Sequence, residues 1–223
     1  MSTVQIPVYR EWFTDEGLDR GTPLLEFRLV YQGLLRSNGD SLEKQSIRRY
    51  LHRQLYNVWR TKHPLKGREK TVTVGDQYRR WGIDDLANKY AIPGKRLLPI
   101  VSEELALTCE LDILMLRRDL GALLTSGDLD NRIKTLLDAL RLPKPGENMD
   151  GDEDPLYCLL EDDKLVSELR VIGDHLFAEP EQVIEHPKVT PTGVYTANPS
   201  HVCAIIHVKI HRTRSTFGNF DFV

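Results

Sequence analysis

Residues 23–32 alternate along the chain, with Leu25, Phe27, Leu29 and Tyr31 on one face and Glu26, Arg28 and Gln32 mostly on the other. That period of two predicts a half-buried strand. Asn38-Gly39-Asp40 then marks a turn. Over 41–60 the period lengthens. Ile47, Leu51, Leu55 and Val58 recur at helical spacing, while Arg48, Arg49, His52, Arg53 and Arg60 fall elsewhere on the wheel. Ser41 is read as the N-cap, with Lys44 where a capping box would carry an acid. Alternation returns over 104–116, where Leu105, Leu107, Cys109, Leu111, Ile113 and Met115 oppose Thr108, Glu110 and Asp112. This predicts a long strand with one buried face. Glu110 and Asp112 are read as a solvated sheet face rather than as extra metal ligands. Residues 130–141 predict a second helix on the stripe Ile133, Leu136, Leu137 and Leu140, ended by Pro143 and Pro145. Two further strands are predicted over 164–177 and 201–212.

The remaining segments carry less period. Residues 1–22 read as an irregular arm. Residues 61–100, punctuated by Pro64, Gly67, Gly75, Gly82, Pro93, Gly94 and Pro99, read as an insertion over the core with a short helix around 83–90. Residues 144–160 read as an acidic loop. The expectation is one domain spanning 1–223, of α+β class, with a mostly antiparallel sheet of about four strands packed against two helices.

Composition changes this picture little. No apolar run is long enough for a transmembrane helix, and the first residues have no basic start followed by an apolar stretch. Cys109, Cys158 and Cys203 form neither a disulfide framework nor a zinc spacing. The chain is read as cytoplasmic.

Charge adds more. The net charge is −3, but residues 128–163 hold eleven acids and four bases, a local −7. Residues 44–80 hold eleven Lys/Arg and two acids, a local +9. Together these read as a basic binding surface beside a metal site.

The candidate chemistry lies in the acidic stretch. Asp128 and Asp130 precede the second helical stripe, and Lys134 follows Asp130 by four residues, on one helix face. Glu161-Asp162-Asp163 lead into the next strand. Taken singly, Asp130 reads as an N-cap with Lys134 as its ordinary partner, and the acidic triplet reads as a solvated turn. Taken together, carboxylates gathered in one small volume repel by roughly 4 kcal/mol per pair at ~4 Å and an effective dielectric of ~20. A divalent cation removes that repulsion. Oxygen donors without Cys or clustered His select Mg²⁺, or Mn²⁺, over zinc. Such an ion can activate water and neutralise charge on a scissile phosphate, and a neighbouring ammonium stabilises the transition state.

The run Asp128-Leu129-Asp130-Asn131, Lys134, Asp138-Ala139-Leu140, then Asp162-Asp163 and Val166, resembles the RusA-like Holliday junction resolvases. The resemblance covers about 128–172. It implies a catalytic set of Asp128, Asp130, Lys134 and Asp163, with Asp128, Asp130 and Asp163 holding Mg²⁺. It also implies a homodimer that nicks two strands of a four-way junction in DNA recombination and repair. This chain departs from the family in its greater length, its long acidic loop and its negative charge. Those departures bear on substrate geometry, so a nuclease for flap or linear DNA, and a non-catalytic DNA-binding module, stand as alternatives. Arg48, Arg49, Arg53, Arg60 and Lys62 are the expected DNA contacts, the first three being off the apolar stripe and so expected to face solvent or phosphate.

Overall fold

In chain order the elements are β1 (Leu25–Leu34), α1 (Ser41–Thr61), β2 (Val72–Val74), β3 (Tyr78–Arg80), α2 (Ile83–Lys89), β4 (Leu97–Val101), β5 (Leu107–Arg117), α3 (Asp128–Leu140), β6 (Leu156–Leu160), a 3-10 turn over Asp163–Leu165, β7 (Val166–His175) and β8 (His201–Arg212). They come from a computed structural model that describes residues 23–68, 70–74, 78–117, 128–177, 200–216 and 219. The arm expected over 1–22 lies outside the described residues, as does the side chain of Asp128.

The four alternating segments form one sheet in the order β1-β8-β5-β7. β8 is antiparallel to both β1 and β5, but β7 runs parallel to β5. The class is α+β as expected, and the sheet is mixed rather than simply antiparallel. The parallel pair follows from the connection: the chain leaves β5 at Arg117 and returns at Val166 only after α3 and β6, a crossover long enough to reverse direction.

Alternation decides which face is dry. Leu29, Ile206 and Ile113 form one row across three strands and are fully buried. Burying such rows beneath helices is the main stabilising term. The opposite face carries the polar set. Lys209 lies opposite both Glu26 and Glu110 in register, and its Nζ is 3.1 Å from Asp112 Oδ2. His207 Nε2 is 2.5 Å from Glu26 Oε1. Glu110 and Asp112 thus belong to a cross-strand charge ladder, in accord with the reading of a solvated face.

Helix α1 covers β1 and also contacts α3 and β6. Ile47, Leu51, Leu55 and Trp59 are buried in it. Its N-cap is Asp40, not Ser41: Asp40 Oδ1 accepts from the Glu43 N–H at 2.8 Å. The Asp-x-x-Glu spacing of a capping box lies one residue upstream of the expected register. Asn38 adopts φ 57°, a left-handed conformation that asparagine tolerates in turns. Gly39 then approaches α3 closely, its N–H donating to Thr135 Oγ1 at 3.0 Å. A Cβ at Gly39 would fall 2.6 Å from Thr135 Cγ2, so this turn holds α3 against the entry to α1.

Two expectations need correction. The insertion expected over 61–100 does hold the β2–β3 hairpin and α2, but β4 within it is wholly buried. The acidic loop expected to run to 160 ends before β6, which is also wholly buried. β4 and β6 pair in parallel as a separate two-stranded sheet. Neither is legible in the sequence because a strand buried on both faces shows no alternation. Among the described residues no helix is long and apolar enough to cross a membrane.

Candidate active site

Helix α3 begins at Asp128, so Asp130 lies within its first turn and is not its cap. Acids in a first turn are favoured by the positive end of the helix. Ile133, Leu136, Ala139 and Leu140 are buried on the core side, leaving Asp130 and Lys134 exposed. The ordinary reading of those two residues is an i, i+4 ion pair. No such pair joins them among the described residues.

The acidic triplet separates into three roles. Glu161 Oε2 accepts from the Glu103 N–H at 2.8 Å and from the Tyr90 hydroxyl at 2.9 Å. Asp162 is the N-cap of the 3-10 turn, accepting from the Lys164 N–H at 3.1 Å. That backbone donor holds the Asp162 carboxyl below the usual carboxylate range. Asp163 has neither task. It is exposed, and it faces α3.

Asp130, Lys134 and Asp163 line one cleft of about 390 Å³. Its floor is apolar, built from Leu129, Ile133 and Leu137 of α3 and Leu169 and Val171 of β7. Leu169 and Val171 lie opposite Leu111 and Ile113 in register, so they point to the helix side of the sheet. Among the described residues β7 is the last strand of the sheet, and Leu169 remains 40% exposed. The structure therefore brings together three of the four expected catalytic residues from segments 33 positions apart in the chain. The fourth, Asp128, is placed only by its backbone, two residues before Asp130 in α3. Among the described residues no three His, Cys, Asp or Glu side chains form a group able to hold a metal ion. The donors that do line the cleft, Asp130 and Asp163, are hard carboxylate oxygens of the type Mg²⁺ takes, with no Cys or His beside them.

The expected DNA contacts divide. Arg48 is a correction: it is 2% exposed, and it bonds Glu147 Oε2 at 2.6 Å, the Asp138 carbonyl at 2.7 Å and the Arg141 carbonyl at 3.1 Å. It leaves the apolar stripe only to face the acidic loop, which covers that side of α1. Arg49 stays half exposed but donates to Glu153 Oε1 at 2.6 Å. Lys44 bonds Asp138 Oδ2 at 2.8 Å, and Arg141 bonds both Asp138 and Glu147 at 2.7 Å. Three bases of the local +9, Lys44, Arg48 and Arg49, therefore meet acids of the local −7 where α1 faces the acidic loop and α3. Burial opposes ionisation of Asp138 and Glu147, but hydrogen bonds from Lys44, Arg48 and Arg141 outweigh it and hold both carboxyls below their usual values. Arg53, Arg60 and Lys62 remain exposed. Arg60 donates to the Tyr56 hydroxyl at 2.9 Å and lies over that ring. Tyr50 and Tyr56 are exposed beside them, whereas Trp59 is buried.

Sequence reasoning missed the apolar floor. Ile133 and Leu137 read as ordinary core, and nothing in the pattern of β7 announces that it is an edge strand. No family model, curated protein or solved structure matches this chain.

Proposed function

We propose that this protein is a Mg²⁺-dependent endonuclease acting on branched DNA. One observation carries the reading: Asp130 and Asp163, two carboxylates from distant segments, share a cleft with Lys134, and none of the three is neutralised by an ion pair among the described residues. Folding brings these charges to one cleft without pairing them to one another, and they line it beside apolar side chains as the polar groups of a ligand site do. The RusA-like pattern of the same residues supports the choice of phosphodiester hydrolysis and the homodimeric form.

In this reading Asp130 and Asp163 hold the cation, and the RusA-like pattern adds Asp128. When bound, Mg²⁺ supplies an activated water and a counter-charge for the scissile phosphate. Lys134 places its ammonium where negative charge grows on the phosphoryl oxygens, and cleavage leaves a 5′-phosphate and a 3′-hydroxyl. Arg53, Arg60 and Lys62 attract the phosphate backbone along α1.

The test is cleavage of four-way junction, flap and linear duplex DNA with and without Mg²⁺. Preferential, metal-dependent nicking of the junction supports the reading. Nicking of flaps or duplex alone would redirect the substrate. DNA binding without cleavage of any substrate would leave a binding module and overturn catalysis.

A further inference from the structure

A site that only cut phosphodiesters would need charge and water, yet five of the eight residues lining this cleft are aliphatic. Leu169 is 40% exposed there, an apolar surface that water solvates poorly. The cleft combines an apolar floor between α3 and β7 with a rim bearing Lys134, Asp130 and Asp163. A ligand that complements both has an apolar face joined to an anion, and within the nuclease reading that is a base with its own phosphate. We infer that the cleft takes a single unstacked nucleobase on its floor, with the adjoining phosphate at the rim. This rests on the nuclease reading and names the substrate feature that the site would select, an unpaired nucleotide next to the cut.

Size and charge both fit. A volume of about 390 Å³ lies within the range of small-ligand sites, which are mostly apolar with a few placed polar groups. Lys134 supplies a cation at the rim to meet phosphate, and the rim carboxylates would meet it through a shared divalent ion. Extracting a base from a continuous duplex costs a few kcal/mol, and least where pairing is already lost. Branch points meet that condition, so the pocket would make branched DNA the preferred substrate through base capture rather than through backbone shape alone. Leu169 and Val171 become specificity-determining residues.

The test uses the full chain with ¹³C-labelled Leu, Ile and Val methyls, titrated in Ca²⁺ with deoxynucleoside 5′-monophosphates and, separately, with deoxyribose 5-phosphate. The nucleotides are expected to shift the methyls of Leu129, Ile133, Leu137, Leu169 and Val171, and to bind at least about tenfold more tightly than the sugar phosphate, a ratio equal to ~1.4 kcal/mol. Leu169→Asp, on an exposed edge-strand position, should abolish the shifts while leaving the other methyl resonances in place; Leu169→Met should keep them. Equal binding of the sugar phosphate, or shifts confined to residues outside the floor, would overturn base capture and leave the nuclease reading intact. Nucleotide-induced shifts in a protein that cleaves no DNA would uphold base capture and sink the nuclease.

Discussion

Arg48 donates to Glu147 at 2.6 Å from a side chain that is only 1% exposed, joining α1 to the loop after α3. A guanidinium in that position cannot serve DNA. Removing one member of a buried ion pair strands its partner and typically costs about 3–5 kcal/mol. Arg48→Ala should therefore lower the melting temperature strongly, whereas Arg53→Ala, fully off the interface, should leave it nearly unchanged. Differential scanning calorimetry of the two variants checks this; equal stability would place Arg48 at the surface.

The same network sets a pH dependence. Asp138 and Glu147 have folded-state values held below those of the unfolded chain, whose reference values are 3.8 and 4.5. Such groups contribute stability that is complete above the unfolded values and is lost as pH falls through the folded ones. The contribution of these two carboxyls should thus be constant on the neutral side and be lost once pH drops below about 4.5, whereas half-buried His52, held below its ordinary value by burial, already loses its contribution as pH falls through about 6.5. In Glu147→Gln the acid-dependent loss should be smaller. An unfolding transition that sharpens or rises on acidification would contradict the network.

Asp162 and Asp163 are adjacent and chemically alike, yet they should fail differently. Asp162→Ala removes a cap and should cost about 1 kcal/mol of stability. Asp163→Ala removes no backbone cap, only a side-chain contact with Asp162, and should cost less stability than Asp162→Ala while losing cleavage. Lys134→Ala should reduce turnover by roughly 10²–10³-fold, the usual loss for one charge-stabilising donor. Parallel melting and cleavage measurements separate the two aspartates, and full activity in Asp163→Ala would remove it from the site.

DNA affinity should follow only the bases that α1 leaves free. The triple substitution of Arg53, Arg60 and Lys62 by alanine should flatten the log–log salt dependence by up to about 2.7, near 0.9 for each lost phosphate contact. Binding titrations across a salt series in Ca²⁺ read this directly. An unchanged slope would move the backbone contacts away from α1.

Thiol chemistry offers a simple check of the fold. Burial pushes the thiols of Cys109 and Cys158 up to about 12, while Cys203 is only partly covered. A thiol reagent at neutral pH should modify Cys203 in the native protein and reach the other two only after denaturation. Native labelling of Cys158 would place β6 at the surface.

Much of the framework can be read from residue order because half-buried elements advertise themselves. Leu25, Phe27, Leu29 and Tyr31, and the Ile206-centred run of β8, mark their strands through alternation alone. The buried pair β4 and β6 has no such signature, and Pro99 makes β4 resemble a loop. The grouping of Asp130, Lys134 and Asp163 is legible as a pattern, and the three line one cleft. The fate of Arg48 is not, since a helical wheel separates apolar from polar positions but says nothing of a charged loop folding back over the polar side. The floor of the cleft is hidden for a related reason: whether Leu169 is core or groove depends on which strand ends the sheet.

The parallel pairing of β5 and β7 closes a connection over 118–165, and α3 and the Asp163 turn both belong to that one connection. No partially folded chain lacking this pairing can present the cleft, because Leu169 and Val171 arrive with β7 itself. The cleft is therefore completed only with the sheet: a copy in which β7 has not paired with β5 lacks two of its lining residues.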